Sequence, residues 1–160
     1  MRVPGRLRIA WENDATIRID TDAGQQTRLL RFDRTMTPPA ARTWQGHSIA
    51  EWDVIRQPGG LGVSLQTAAG RMGSLEVVTT NLRAGYLRTN GVPYSESAVM
   101  TEYFDRLSAY GDEWLVVLTT IEDPRYLNQP FITSSHFKRE ADGSKWTPVP
   151  CDPADARGTR

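Results

Sequence analysis

The sequence predicts an all-β domain, an antiparallel barrel with a β-sandwich as the alternative, and three observations carry that expectation. Short runs of alternating apolar and polar residues, rich in β-branched and aromatic side chains, recur along nearly the whole chain. Turn-forming pairs such as Asn13-Asp14, Gly111-Asp112 and Asp123-Pro124 divide these runs. The division yields roughly eight or nine strands spaced by about ten residues, as in small barrels and sandwiches. No segment combines a helical period with helix caps over about ten residues or more.

The elements follow in order. Leu7, Ile9 and Trp11 alternate with Arg6, Arg8 and Ala10 up to the turn at Asn13-Asp14. Ile17 and Ile19 then alternate with Thr16, Arg18 and Asp20, which makes a hairpin. Asp22-Ala23-Gly24 turns the chain into a third strand over 26–32, and Thr37-Pro38-Pro39-Ala40 holds a loop. Residues 47–55 read as a strand ended by Pro58-Gly59-Gly60, and 61–71 fit a short strand with a turn at Gly70. Longer strands at 74–83, 98–107, 113–122 and 129–139 are expected to form a consecutive antiparallel meander. Ser95 and Glu96 open the best helical candidate, 95–107, but Thr101, Tyr103 and Phe104 suit a strand better. One domain is expected over 1–147, followed by a flexible proline-rich tail over 148–160.

At 160 residues the chain has the length of one domain with a sizeable core. Lys and Arg together number 19, as do Asp and Glu, so the net charge is zero. No positive excess is present to neutralise phosphates, which argues against nucleic acid as a main partner. No run reaches the ~18 continuous apolar residues of a membrane-spanning helix. The start, Met1-Arg2-Val3-Pro4-Gly5, lacks the apolar core of a secretion signal, and the chain reads as soluble. Cys151 is the sole cysteine, so it is either an incidental tail thiol or one half of a bridge to a cysteine elsewhere. Two histidines do not supply a His-rich metal site; a mixed His and carboxylate site stays open, and neither metal nor cofactor is expected. G-x-S-x-G, P-loop and C-x-x-C motifs are missing, and no helix follows Gly59-Gly60-Leu61-Gly62 to make it a phosphate cradle.

A strand alternates faces with period two. In the C-terminal meander the even positions hold Val78, Met100, Phe104, Trp114, Val116, Leu118 and Ile132, a better core than the threonine-rich odd set, although Leu115, Val117 and Phe137 are odd. Glu102 and His136 are even and are expected to point inward with Thr80, Thr120 and Ser134. Pairing through the turns sets Thr80, Glu102, Leu118 and Ser134 in one layer, with His136 one layer away. Strands two apart lie about 10 Å from each other, so Glu102 and His136 would bracket a ligand or a water. Burial raises a carboxylate pKa and poises a histidine near neutrality, the ingredients of an acid–base site. The competing reading makes the two residues loop caps or members of a satisfied core network, or displaces the register by one.

Other constellations concern binding. Arg28 shares the parity of Leu30 and Phe32 and is a candidate inward charge partner for Glu102, against the alternative of an exposed strand arginine. His47, near Trp44 and Trp52, reads as a surface histidine or part of a pocket rim. The segment 82–104 holds Gly85, Asn90-Gly91, Pro93, Glu96 and three tyrosines, more than a plain strand connection needs. Tyr86, Tyr94 and Tyr103, with Arg83 and Arg88, suit either a planar ligand or the hairpin's own packing.

The runs EVVTTNLRAGYLRTNGVPYSESAVMTEYF, EWLVVLTTIEDPRYLNQPFITSSHFKRE and DGSKWTPVPC, together with RLRIAWEND, TDAGQQTRLL and WQGHSIAEW, cover most of the chain. In these runs it resembles an uncharacterised family of bacterial proteins, many of which begin with a secretion signal. Members of that family carry an additional aromatic-rich segment and a cysteine upstream of the point where this chain starts. The resemblance implies a lipocalin-like β-barrel, a periplasmic or secreted location, a start shortened relative to the family, and an upstream partner for Cys151. It implies no activity.

Three functions follow as expectations. The first is binding of a small hydrophobic or amphipathic molecule in the barrel interior, through Arg28, Thr80, Tyr86, Tyr94, Phe104, Trp114 and Ser134. The second is a cofactor-independent lyase, isomerase or hydrolase with Glu102 as base and His136 as acid. The third is a structural or interaction protein that docks a partner through 82–104. A shortened barrel would also expose an edge beside 6–11 and favour a homodimer.

Overall fold

Alternation of apolar and polar residues produces strands throughout the computed structural model, which describes residues 5–54, 73–87 and 91–150. They are β1 (Leu7–Asn13), β2 (Thr16–Thr21), β3 (Ala23–Gly24), β4 (Thr27–Arg31), β5 (His47–Val54) and β6 (Gly73–Thr80). The chain continues through β7 (Gly85–Tyr86), β8 (Pro93–Tyr94), β9 (Val99–Ala109), β10 (Asp112–Glu122), β11 (Phe131–Lys138) and β12 (Val149–Pro150). Among the described residues there is no helix, and hence none long and apolar enough to cross a membrane. The turn expected at 58–60, the segment 61–71, Arg88 and Cys151 lie outside the described residues.

Eight strands form one sheet in the order β1-β2-β4-β5-β6-β9-β10-β11, curled into a half-barrel. The expected meander is present: β6, β9, β10 and β11 are successive antiparallel neighbours. Residues 99–107 of the expected 98–107 form part of strand β9 and not a helix, as their β-branched and aromatic content favours. The pairing of β4 with β5 is parallel, which the intervening loop makes feasible by carrying the chain back before β5 begins. Small pairs β7–β8 and β3–β12 flank the main sheet. Through β12, residues 149–150 belong to the folded body, where a tail was expected. The Val149 N–H donates to the Asp22 carbonyl at 2.8 Å, and the Arg8 guanidinium lies 4.6 Å from the Trp146 ring centre.

Register decides which side chains share the concave face. Ile17, Ile19, Leu30, Ala50, Leu75, Val77, Phe104 and Val117 are buried there, with Leu7, Phe32, Leu115 and Phe137 packed against them. The inward set is therefore even on β9 but odd on β6, β10 and β11, and this corrects the uniform even assignment. The physical reason is the turn. Tyr110 and Gly111 both have positive φ and form a two-residue hairpin loop, so Ala109 pairs with Asp112 and parity reverses. Glu102 consequently sits opposite Thr119, and Phe104 opposite Val117. Val78, Leu118 and Ile132, expected inside, are exposed on the convex face, Ile132 by 61%. Trp114 and Val116 are half-buried on that outer face.

Candidate functional site: a buried ion pair beneath an aromatic rim

Arg28 is carried inward because it pairs in register with Ile19, two residues before the buried Leu30. The curl of the sheet lets its side chain cross β5 and β6 beneath the core. Its Nε donates to Ser48 Oγ at 3.0 Å and its Nη2 to Thr79 Oγ1 at 2.7 Å. Its Nη1 lies 2.5 Å from Glu102 Oε2. Ser48 and Thr79 share a hydrogen bond of 2.8 Å, and Thr119 Oγ1 donates to Glu102 Oε1 at 3.4 Å. Five strands thus send one polar side chain each into a single buried layer. The arginine is 4% exposed and the glutamate 0%.

Burial raises the Glu102 pKa, but the positive charge around it, with the Arg28 guanidinium prominent, lowers it further, and the carboxyl ends below its ordinary value. A carboxylate held ionised and engaged by arginine is a weak proton acceptor near neutrality. This layer positions strands and fixes polarity.

The structure separates the two residues expected to act as base and acid. Glu102 faces the concave core, whereas His136, paired with Val116, is exposed on the convex face. Ser134 is exposed beside it, and Thr80 is half-buried at the end of β6, also on the convex side. Of the expected interior set, only Arg28, Glu102 and Phe104 come together. Ser48, Thr79 and Thr119 complete the polar layer and were missed, because their parity depends on pairings no single strand displays. His47, expected at the surface, is buried opposite Thr80 at the head of β5, with Nε2 lacking a hydrogen-bond partner among the described residues.

Above the polar layer, at the end of the half-barrel where β1 and β5 finish, the concave face is aromatic. Phe32 stacks between Trp11 (centroids 5.5 Å apart) and Trp52 (6.1 Å), with interplanar angles of 28° and 27°. Leu75 and Phe104 form the floor beside them. Trp11 and Trp52 remain 57% and 53% exposed. Trp11 and Phe32 were read only as strand residues; their alternation with Arg8, Ala10 and Arg31 was the signal that they share a face.

Residues 82–87 and 91–98 lie at the opposite end. Leu82 and Ala98 are buried, and Thr43 bridges Leu82. Tyr94 packs so closely over Gly85 that a Cβ there would lie 2.9 Å from its hydroxyl and 3.1 Å from the Trp44 ring, so a larger residue would have to push the tyrosine aside. Burial pushes the Tyr94 hydroxyl pKa up. Tyr86 projects into solvent, 71% exposed, while Tyr103 sits on the convex face and donates to Glu76 at 3.1 Å. The three tyrosines therefore do not share one ligand-facing surface. Asp123, buried, accepts from the Ser95 and Arg125 N–H groups and from Ser95 Oγ at 2.9 Å, which ties the segment to the β10–β11 loop. A cleft of about 320 Å³ opens beside this clamp, lined by Arg42, Glu96, Ser97, Arg125 and Tyr126 among others.

Fold and site together define the class: an all-β half-barrel with an apolar, aromatic-rimmed concave face over a buried ion pair. No protein-family model, curated protein or solved structure matches the chain.

Proposed function

We propose that the protein binds a small apolar or amphipathic molecule against the aromatic end of its concave face. The observation that carries this reading is the Trp11–Phe32–Trp52 stack, in which two indoles stay more than half exposed beside an otherwise buried core. Contiguous aromatic surface left open to water favours an apolar occupant. The buried Arg28–Glu102 layer supports binding over catalysis, because its charges are already engaged with each other. The resemblance to an uncharacterised bacterial family, which implies a lipocalin-like barrel, fits the same reading.

Titration with the uncharged fluorescent probe N-phenyl-1-naphthylamine tests it. Saturable binding is expected, weakened about tenfold or more by Trp52→Ala, since removing a buried aromatic contact forfeits roughly 1–3 kcal/mol. Trp44→Ala, at the opposite end of the half-barrel, is expected to leave it unchanged. Non-saturable binding, or equal affinity in the Trp52 variant, overturns the reading.

A second reading, a partner docked on 82–104, draws on the exposed Tyr86 and Trp44 and the adjoining arginine-lined cleft. It is favoured if Trp44→Ala and Tyr86→Ala, but not Trp52→Ala, abolish recovery of a specific binding protein.

A further inference from the structure

The strand β1 is the outermost of the sheet on its side, and none of the described residues pairs with its free edge. Every residue from Arg8 to Asn13 is exposed, including Ile9 (45%) and Trp11 on the concave side. Long exposed edges with apolar side chains are templates for strand addition. The sequence of this edge is self-complementary. In an antiparallel pair of two copies centred on Ala10, Ile9 of each strand lies opposite Trp11 of the other, and Arg8 opposite Glu12, which the register shift past Trp11 leaves on the outer face 3.8 Å from Arg18. Both pairs are attractive, and symmetry makes each occur twice. Centring on Ile9 or on Trp11 instead sets Glu12 opposite Arg6 or Arg8 opposite Asp14, pairs in which one member lies outside β1, and it shortens the paired stretch.

Backbone geometry fits the same register. The Arg6 carbonyl accepts from Asp22 N–H, so the even residues of β1 turn their backbone groups toward β2. Leu7, Ile9 and Trp11 therefore direct N–H and C=O groups outward, and Ile9 and Trp11 of two copies can exchange both hydrogen bonds. Ala10 then meets Ala10 in the close, non-hydrogen-bonded position, where a small side chain is suited to the short separation.

We propose that the protein forms a two-fold dimer by antiparallel pairing of β1 with β1 of a second copy, in register about Ala10, joining two half-barrels into one continuous sheet. The pairing brings Ile9 of one copy beside Trp11 of the other and so extends the aromatic rim across the seam. The proposal does not depend on the ligand-binding reading.

Sedimentation equilibrium at low salt tests it. The wild-type chain is expected to be dimeric. Arg8→Glu and Glu12→Arg, each separately, are expected to weaken association about tenfold or more, because each change turns two attractive cross-strand pairs repulsive. Mixing those two variants in equal amounts should restore a dimer, since each strand then complements the other. Ala10→Cys in a Cys151→Ser background should give an intermolecular disulfide under mild oxidation. Circular dichroism of each variant, with strand content unchanged, separates lost association from lost folding. A monomeric wild type, a dimer indifferent to both charge reversals, or failure of the mixed variants to associate overturns the proposal. So does a failure of the Ala10→Cys variant to crosslink when the wild-type chain is dimeric.

Discussion

Arg28 and Glu102 set the energetics of the interior. Removing two charges from water costs several kcal/mol per ion, and the 2.5 Å contact with its ring of hydroxyls offsets that cost only while both partners are present. Glu102→Gln is therefore expected to destabilise the fold by about 3–5 kcal/mol in urea unfolding, by leaving a buried guanidinium without its counter-charge. The double change Arg28→Met with Glu102→Leu should cost less than Glu102→Gln alone, because it removes the burial penalty along with the attraction. A single variant as stable as the parent, or more so, would instead mark Glu102 as a carboxylate held at a cost for function. The participation of both residues was legible in part: Arg28 shares the parity of Leu30, and Glu102 that of Phe104. The three hydroxyl residues between and beside them were not legible, because Ser48, Thr79 and Thr119 enter through strand pairing.

At the scale of elements, turns explain both what was anticipated and what was not. The β9–β10 hairpin was expected from its turn residues, yet the choice of Tyr110 and Gly111 as the loop reverses the side-chain parity between the strands. Tyr110 holds a φ of 56° and is fully exposed, so it bears the steric cost of a left-handed backbone without compensating packing. Tyr110→Asn should stabilise the protein by about 0.5–1 kcal/mol, because asparagine tolerates that conformation in a two-residue hairpin loop. Urea unfolding checks it, and a loss of stability would mean that the tyrosine side chain makes a contact of its own. The β1–β2 hairpin shows the same sensitivity at smaller scale: its register shifts between Trp11 and Asn13, so the strict alternation seen from Leu7 stops at Trp11.

For the whole molecule, three buried carboxylates couple folding to pH. Burial raises the pKa of Asp22 and Asp123, but hydrogen bonds outweigh it. Arg6 and Ala23 donate to Asp22, and Ser95 and Arg125 donate to Asp123, so both lie below the ordinary value of 3.8. Glu102 lies below its ordinary 4.5 for the reasons given above. A carboxyl with a depressed folded-state pKa binds its proton more readily when unfolded, so stability rises with pH across that interval. Stability is expected to be steady above about pH 5 and to fall as the pH drops through these groups' folded-state values. Asp123→Asn should make that acid slope shallower while lowering stability near neutrality. Urea midpoints measured from pH 7 downward check both expectations, and an unchanged slope in Asp123→Asn would remove this residue from the linkage.

The division between sequence and structure follows the range of the physics. Alternation of side chains and the steric demands of turns act within a few residues. The sequence by itself therefore determined the all-β class, the principal strands of the main sheet and the succession of β6, β9, β10 and β11. Which face of each strand is inside depends on how neighbours are joined and registered, and only the tertiary structure decided that Thr119 and not Leu118 faces the core. Only the curl and register of the full sheet decided the rest. The curl brings β4 near enough to β9 for Arg28 to reach Glu102, while strand register sends His136 to the opposite face. No local pattern encodes a contact formed across two intervening strands.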